Sequence, residues 1–430
     1  MVSLLLRAVV ACVALHVAAS AAAQPLDAPN GAAELTLASA IEMALARNPD
    51  LIASRYELTA ARGRITQAGL RINPELDVEL ENFAGGGELN GINALETTLS
   101  LSQVLELGDK RNLRVGVAEA DRDLVGIEQR ARELDVLAEV ARRFIDVVAA
   151  QERLRFAQAA TALARQTLEA ITQRVNAAVA PIAEQSRAQI ALTRAGIAQQ
   201  QSASELRSAR YALAALWGDA EPAFTAASAD LFRFEAGQTF RSFFERLERT
   251  PDFLAFASAA RLRDAELRLA QAQARPNIAV GIGIRRLEET NDTALVAGFA
   301  MPLAIRDRNQ GAIFEARARR AQTDAERLAA LTRARAGLFS VYQEMTTARA
   351  SAETLRGEAV PQAETALSQT QTGYNAGRFS FLELATAQQE LLELQEAAID
   401  AAAVHHLMRA ELERLTSEPL SNTELEGPLP

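Results

Sequence analysis

Residues 74–81 read Pro-Glu-Leu-Asp-Val-Glu-Leu-Glu, and residues 95–102 read Leu-Glu-Thr-Thr-Leu-Ser-Leu-Ser. In both stretches the residue type changes with a period of two, which sorts side chains onto the two faces of an extended strand. Leu76, Val78, Leu80, Leu99 and Leu101 fall on one face, and Glu75, Asp77, Glu79, Glu81 and Glu96 on the other. Gly85-Gly86-Gly87 between the two stretches reads as an exposed turn. The same alternation returns with Ile278, Val280, Ile282 and Ile284, then with Leu295, Ala297, Phe299 and Met301. Four strands of about ten residues have the length of tilted membrane-spanning strands. Four strands cannot close a barrel, and an open edge in lipid leaves backbone groups without partners, so the sequence demands further copies of itself.

The strand pairs sit inside a duplicated plan. Pro49 and Pro74 recur as Pro251 and Pro276 at an offset of 202, and Asn176-Ala177, Glu184 and Gln189 recur as Asn375-Ala376, Glu383 and Gln388 at an offset of 199. Each copy reads short helix, helix, strand pair, very long helix, break, long helix. Leu37, Ile41, Ala44 and Leu45 form an apolar helical stripe that Asn48-Pro49 stops, and a second helix follows from Leu51 to Ile72. From Lys110 to Ala178 no proline interrupts a helical pattern about 100 Å long. Leu137, Val140, Phe144, Val147 and Leu154, then Thr161, Leu168 and Val175, follow coiled-coil spacing, as do Leu331, Leu338 and Met345 with Val341, Ala348 and Leu355. The many Ala and Thr at these positions let helix axes approach closely.

Pro181 and the stretch Gly373–Gly377 break the long helices and turn the chain back as antiparallel hairpins. The expected organisation is a first repeat over 24–230, with strands at 74–83 and 93–103 and long helices at 110–178 and 182–216. The second repeat covers 231–416, with strands at 276–286 and 292–301 and helices at 309–373 and 380–416, before a Pro- and Glu-rich tail at 417–430 that is expected to be disordered. The class is mainly α with a β-barrel part.

The first 23 residues read as a secretory signal peptide: Arg7, an apolar run from Ala8 to Ala19, and Ala21-Ala22-Ala23 before Gln24. Cys12 is the only cysteine and falls inside that segment, separated from Arg7 by only four residues, too few for a lipidation signal with a full apolar core. Beyond it no stretch approaches the roughly 20 apolar residues of a membrane-spanning helix, so membrane insertion falls to the strands. A formal net charge of −10 argues against nucleic acid. No nucleophile set and no phosphate-binding glycine loop is assembled, so neither catalysis nor a cofactor is expected. His405 and His406 point about 100° apart on a helix and cannot share one ion as an i, i+4 pair; a solvated or interface role is expected of them.

Taken together, Leu35-Thr36-Leu37, Ala40-Ile41, Ala44-Leu45 and Asn48-Pro49, with Gly373-Tyr374-Asn375-Ala376-Gly377 and Phe381-Leu382-Glu383-Leu384, resemble the TolC family of outer-membrane efflux channels. The resemblance covers roughly residues 35 to 416, and Leu105–Arg111 is most similar to members serving pumps for divalent heavy metals of the cobalt-zinc-cadmium type. It implies a homotrimer in outer-membrane lipid, a twelve-stranded barrel, a periplasmic α-helical barrel, a periplasmic adaptor (membrane fusion) protein and an inner-membrane resistance-nodulation-division pump. It further implies that Ala177, Pro181, Glu184, Asn375, Gly377 and Ser380 form adaptor-contacting tips, and that Glu383 narrows the periplasmic end as an acidic ring. Thr386 stands where the family often has a second acidic residue. Glu75, Asp77, Glu79, Glu81 and Glu96 would line the barrel. The exit duct of a type I protein-secretion or multidrug system uses the same fold, and a coiled-coil scaffold without a pore is the reading from another class.

Overall fold

A computed structural model describes residues 34–235 and 238–417. The expected leader with Cys12, and the tail from residue 418, lie outside the described residues. The chain runs β1 (Glu34–Leu35), α1 (Leu37–Arg47), α2 (Pro49–Ala68), β2 (Glu75–Glu81), β3 (Glu96–Leu105), α3 (Lys110–Asn176), α4 (Ile182–Ala214) and β4 (Ala226–Ala227). It continues as α5 (Phe240–Arg246), α6 (Pro251–Gln273), β5 (Ile278–Leu287), β6 (Asp292–Ala300), α7 (Gln310–Thr354), α8 (Val360–Asn375) and α9 (Phe381–Thr416). Among the described residues no helix is long and apolar enough to cross a membrane.

Local chemistry explains the boundaries. Thr36 and Ser39 form a capping box that starts α1. Asn48 ends α1 and starts α2: its side-chain oxygen accepts from the backbone N–H of Asp50 and Leu51, and its amide donates to Leu216 O at 2.8 Å. Pro49 then occupies the first helical position, where a missing N–H costs nothing. Helix α2 stops at Ala68, short of Ile72, with Gly69 at its end.

The long helices α3 and α7 both follow a left-handed residue, Asp109 at φ 62° and Asn309 at φ 58°, two hundred positions apart. The α3 helix has 67 residues, roughly 100 Å at 1.5 Å per residue. Its counterpart is not one uninterrupted helix. A π-turn at Leu355–Ala359 separates α7 from α8 just ahead of Pro361. Pro361 has no N–H and its ring would strike the carbonyl of Gly357, and the wider turn relieves both problems.

The four long strands form one antiparallel sheet in the order β2-β3-β5-β6. The two strand pairs therefore join through β3 and β5, with Leu99 opposite Ile284 and Leu101 opposite Ile282. Strand β2 is the shortest, at 7 residues. Lys110, 8% exposed, holds this junction by donating to Arg275 O at 2.5 Å and to Asn277 Oδ1. A first-repeat lysine thereby pins the turn that leads into a second-repeat strand.

The main core lies midway along the helices. Val140, Phe144, Val147 and Val148 of α3 pack with Leu37 and Ala44 of α1, Leu213 of α4, Trp217, Leu231, and Ile399 and Ala402 of α9. Of the expected seam, Val140, Phe144, Val147, Thr161, Leu338, Met345 and Ala348 are buried. The short parallel pair β1–β4 closes this region.

The histidines correct the expectation of a solvated role. His405 and His406 are 4% and 3% exposed and pack against Phe234, with ring centroids 5.0 and 5.6 Å away. Their ring N–H groups face Met345 O at 3.1 Å and Leu231 O at 2.9 Å, so they tether the segment around Leu231 to α7 and α9. Burial, then the neighbouring His405, push His406 down to about 4. Burial lowers His405 as well, and Arg349 and Arg409 act in the same direction.

A histidine with a depressed folded-state pKa contributes stability that is intact above its ordinary value of about 6.5 and is lost as pH falls toward the folded value. For His406 the full loss is about 3 kcal/mol, from 1.36 kcal/mol per unit. Lowering the pH from 7 to 4.5 should reduce the thermal midpoint of the detergent-solubilised protein, and His406→Phe should flatten that dependence. An equal pH response in the variant would exclude this histidine as the source.

Candidate functional site

Two places combine unusual chemistry with exposure: the pair of turns that end the long hairpins, and the polar face of the sheet.

The turns are built alike. After α3, Ala178 sits at φ 59° and the N–H of Val179 reaches back to Arg174 O at 3.0 Å. After α8, Gly377 sits at φ 72° and the N–H of Arg378 reaches back to Gly373 O at 2.8 Å. Both are left-handed helix ends closed by a six-residue backbone bond. Ala177 and Asn375 lie at the ends of α3 and α8, while Pro181 and Ser380 are the capping residues of α4 and α9.

The two repeats diverge at these caps. Ser380 accepts from the Glu383 N–H at 3.3 Å, and the Glu383 carboxylate accepts from the Ser380 N–H at 2.6 Å and its hydroxyl at 2.8 Å. Glu383 is thus occupied by its own helix start, and the Ser380 N–H holds its carboxyl below the usual range. Pro181 has neither a capping side chain nor an N–H to offer, which leaves Glu184 without a box. Glu184 instead crosses to the other hairpin, where it accepts from the Tyr374 hydroxyl at 2.8 Å.

Tyr374 is 2% exposed. The Arg174 guanidinium lies 4.6 Å from its ring centroid and donates to Asn375 O at 3.1 Å. Burial, then the Glu184 carboxylate, push the phenol up to about 12, so Tyr374 remains a donor throughout the physiological range. Ile171, Ala188, Phe381 and Leu384 pack beneath it, and Gln388 donates to Thr167 Oγ1 at 2.8 Å one level further in. Val179, Ile182, Phe379 and Leu382 leave an apolar rim exposed around the turns.

Of the expected tip residues, only Glu184 and Asn375 take part in this link. Arg174 and Tyr374 carry the rest and were not singled out from the sequence. The available signal was a difference between the copies: at an offset of 199, Arg174-Val175 stands where the second repeat has Gly373-Tyr374.

The sheet register places all five expected lining carboxylates on one face. Glu75, Asp77, Glu79 and Glu81 face Ser102, Ser100, Thr98 and Glu96 across the β2–β3 pair. The same face continues on β5 as Gly281, Gly283 and Arg285. Arg285 pairs with Glu96 at 3.0 Å and with Glu81 at 3.2 Å. Glu75, Asp77 and Glu79 make no ion pair among the described residues, and Asp77 accepts from Ser102 Oγ at 3.3 Å. The opposite face carries Leu76, Val78, Leu80, Leu99, Leu101, Val280, Ile282, Ile284, Leu295 and Phe299, all exposed in the single chain. No group of three or more His, Cys, Asp or Glu is placed to hold a metal ion among the described residues.

The chain matches the outer membrane efflux protein family over residues 40–219 and 245–418. It is 31% identical over 371 residues to the cobalt-zinc-cadmium resistance protein CzcC of Cupriavidus metallidurans, covering 86% of this chain and 87% of the relative. It is 26% identical to the nickel-cobalt-cadmium resistance protein NccC of Alcaligenes xylosoxydans, covering 73% of this chain and 68% of that one. Among solved structures, CusC superposes with a TM-score of 0.72 at 17% identity over 89% of this chain and 92% of that one. The outer membrane protein VceC of Vibrio cholerae gives 0.70 at 20% identity over 88% and 95%. These last two likenesses concern the fold.

The face assignment has a direct consequence. Leu99 lies in the middle of the apolar face, and an arginine there should cost about 2–4 kcal/mol if it sits near the bilayer midplane. Folding yield of Leu99→Arg into lipid vesicles should drop accordingly, whereas Ser100→Arg, one residue on, should insert. Equal insertion of the two would contradict the faces.

Proposed function

The chain belongs to the outer membrane efflux protein family, and from that premise we propose that it forms the exit duct of a system expelling divalent heavy-metal cations. Members of the family are outer-membrane components of tripartite efflux systems, working with an adaptor and a pump, and they form trimers. The protein is an outer-membrane channel that extends into the periplasm.

The observation that carries the reading is the sheet, four strands with one apolar face and two free edges, set at one end of a helix of 67 residues. Strands β2 and β6 are the edges and run antiparallel to one another, so β6 of one protomer can pair with β2 of the next, and three chains supply twelve strands. The apolar faces then turn to lipid and the carboxylates inward. An acidic lining raises the local concentration of cations without binding any one of them tightly. The heavy-metal assignment rests on the resistance proteins to which the chain is similar, and the partners that fit it are a periplasmic adaptor and an inner-membrane resistance-nodulation-division pump. Energy comes from that pump, and the duct is passive.

The hairpin ends form the closed end of the duct, where the Tyr374–Glu184 and Arg174–Asn375 bonds hold the α8–α9 hairpin against α3–α4. Glu383 stays exposed at the start of α9, where three copies around an axis would present an acidic ring. The adaptor docks against the turns containing Ala177, Pro181, Gly377 and Ser380.

Deleting the gene should sensitise cells to cobalt, zinc or cadmium and leave resistance to dyes and antibiotics unchanged; the reverse pattern would assign the duct to multidrug export. In planar bilayers Tyr374→Phe should raise the open fraction about tenfold or more, because a hydrogen bond to a charged group is worth about 1.5–3 kcal/mol in each protomer. Glu383→Gln should leave the open fraction unchanged and weaken block of the remaining current by millimolar divalent cation from the periplasmic side. Block as strong as wild type would remove Glu383 from the constriction.

A further inference from the structure

We propose that Arg285 is a selectivity-determining residue: it is the counter-charge that sets how negative the outer part of the barrel lining is, and so how firmly a departing divalent cation is held. The proposal rests on the reading of the sheet as one third of a pore.

The polar face of the four strands is acidic, and among the described residues Arg285 is its one basic side chain; the neighbouring Arg286 belongs to the other face, level with Thr97 and Thr293. Arg285 is fixed in place rather than waving in solvent. Its Nε donates to Thr98 Oγ1 at 2.9 Å, Nη1 lies 3.0 Å from Glu96 and Nη2 lies 3.2 Å from Glu81. Thr98, only 6% exposed, anchors the stem end of this fork. A guanidinium offers several donors in a rigid plane, so it can serve two carboxylates and a hydroxyl together where an ammonium would serve them loosely.

The placement along the strands is uneven. Glu81 and Glu96 are opposite one another in the last register pair before the β2–β3 turn, the end of the sheet remote from the helices. Like charges directly opposite repel, and Arg285 lies between them. Toward the helices, Glu75, Asp77 and Glu79 have no such partner among the described residues, and β5 presents Gly281 and Gly283 there. A cation arriving from the helical end meets uncompensated carboxylates first and a partly compensated group next. Conduction requires sites that attract an ion and then release it, and a compensated outer group favours release.

Arg285 could instead serve only to staple the sheet, and the test separates the two roles by charge. Single-channel cation-to-anion permeability ratios at low salt, and block by cadmium chloride added from the outer side, are compared for wild type, Arg285→Lys and Arg285→Gln. The expected result is a severalfold rise in the ratio and in cadmium affinity for Arg285→Gln, with Arg285→Lys near wild type. A second pair avoids leaving two carboxylates face to face: Glu81→Gln with Glu96→Gln, with and without Arg285→Gln. Within that pair the variant retaining Arg285 should be severalfold less cation-selective. Equal ratios within both comparisons would overturn the proposal. Absence of any conductance in wild type would overturn the pore reading itself, which is a different result.

Discussion

Everything in this chain answers to the free edges of a sheet that has one apolar face. A strand edge in hydrocarbon leaves rows of N–H and C=O groups without partners, each costing several kcal/mol, so the four strands cannot be a finished membrane structure. Closure by further copies satisfies the edges and hides the carboxylates at one stroke, because alternation puts Glu75, Asp77 and Glu79 on the side away from Leu76, Val78 and Leu80. The helices inherit the symmetry. Once the strands form a ring, α3 and α7 both descend from it, α3 packed on α4, α6 and α9 and α7 packed on α6 and α9.

Duplication supplies the ring with repeated parts, and the differences between the copies supply the function. The hairpin ends share left-handed closures and equivalent glutamates, yet Pro181 against Ser380 sends those glutamates to different work. Where the cap is serine, the carboxylate turns back to its own helix. Where the cap is proline, the carboxylate is free to reach another hairpin and meet Tyr374. A change at a cap, met by a tyrosine in the other repeat, thus replaces a local stabilising contact with a link between two elements.

Much of this was legible because it depends on spacing. Period-two alternation predicts strands and their faces, the offset of about two hundred predicts two copies, and proline and glycine predict the turns. What was not legible depends on residues distant in sequence. The β3–β5 register joins the copies through pairs such as Leu99 and Ile284 that no local pattern connects. The π-turn before Pro361 was masked by an otherwise continuous helical pattern. His405 and His406 looked solvated because their angular separation excluded a shared ion, but that angle says nothing about burial; Phe234 and Leu231, from a segment about 170 residues earlier, cover them. The linking role of Tyr374, quoted only as part of a motif, was not legible for a similar reason, since its partner Glu184 belongs to the other repeat.

The distribution of packing follows the division of labour. Most of the largest buried side chains, among them Phe144, Leu213, Leu231 and Leu412, lie away from the hairpin ends, which rely on a small apolar cluster around Ile171 and Leu384 and a few polar links. Regions with few buried apolar contacts open at lower free energy than the rest of a molecule. A duct that must stay assembled while one end opens needs this inequality. Polar links suit that end better than a larger core would, because breaking Tyr374 from Glu184 exposes two groups that water or a partner helix can satisfy at once, whereas separating a large apolar interface would expose surface that neither could cover quickly.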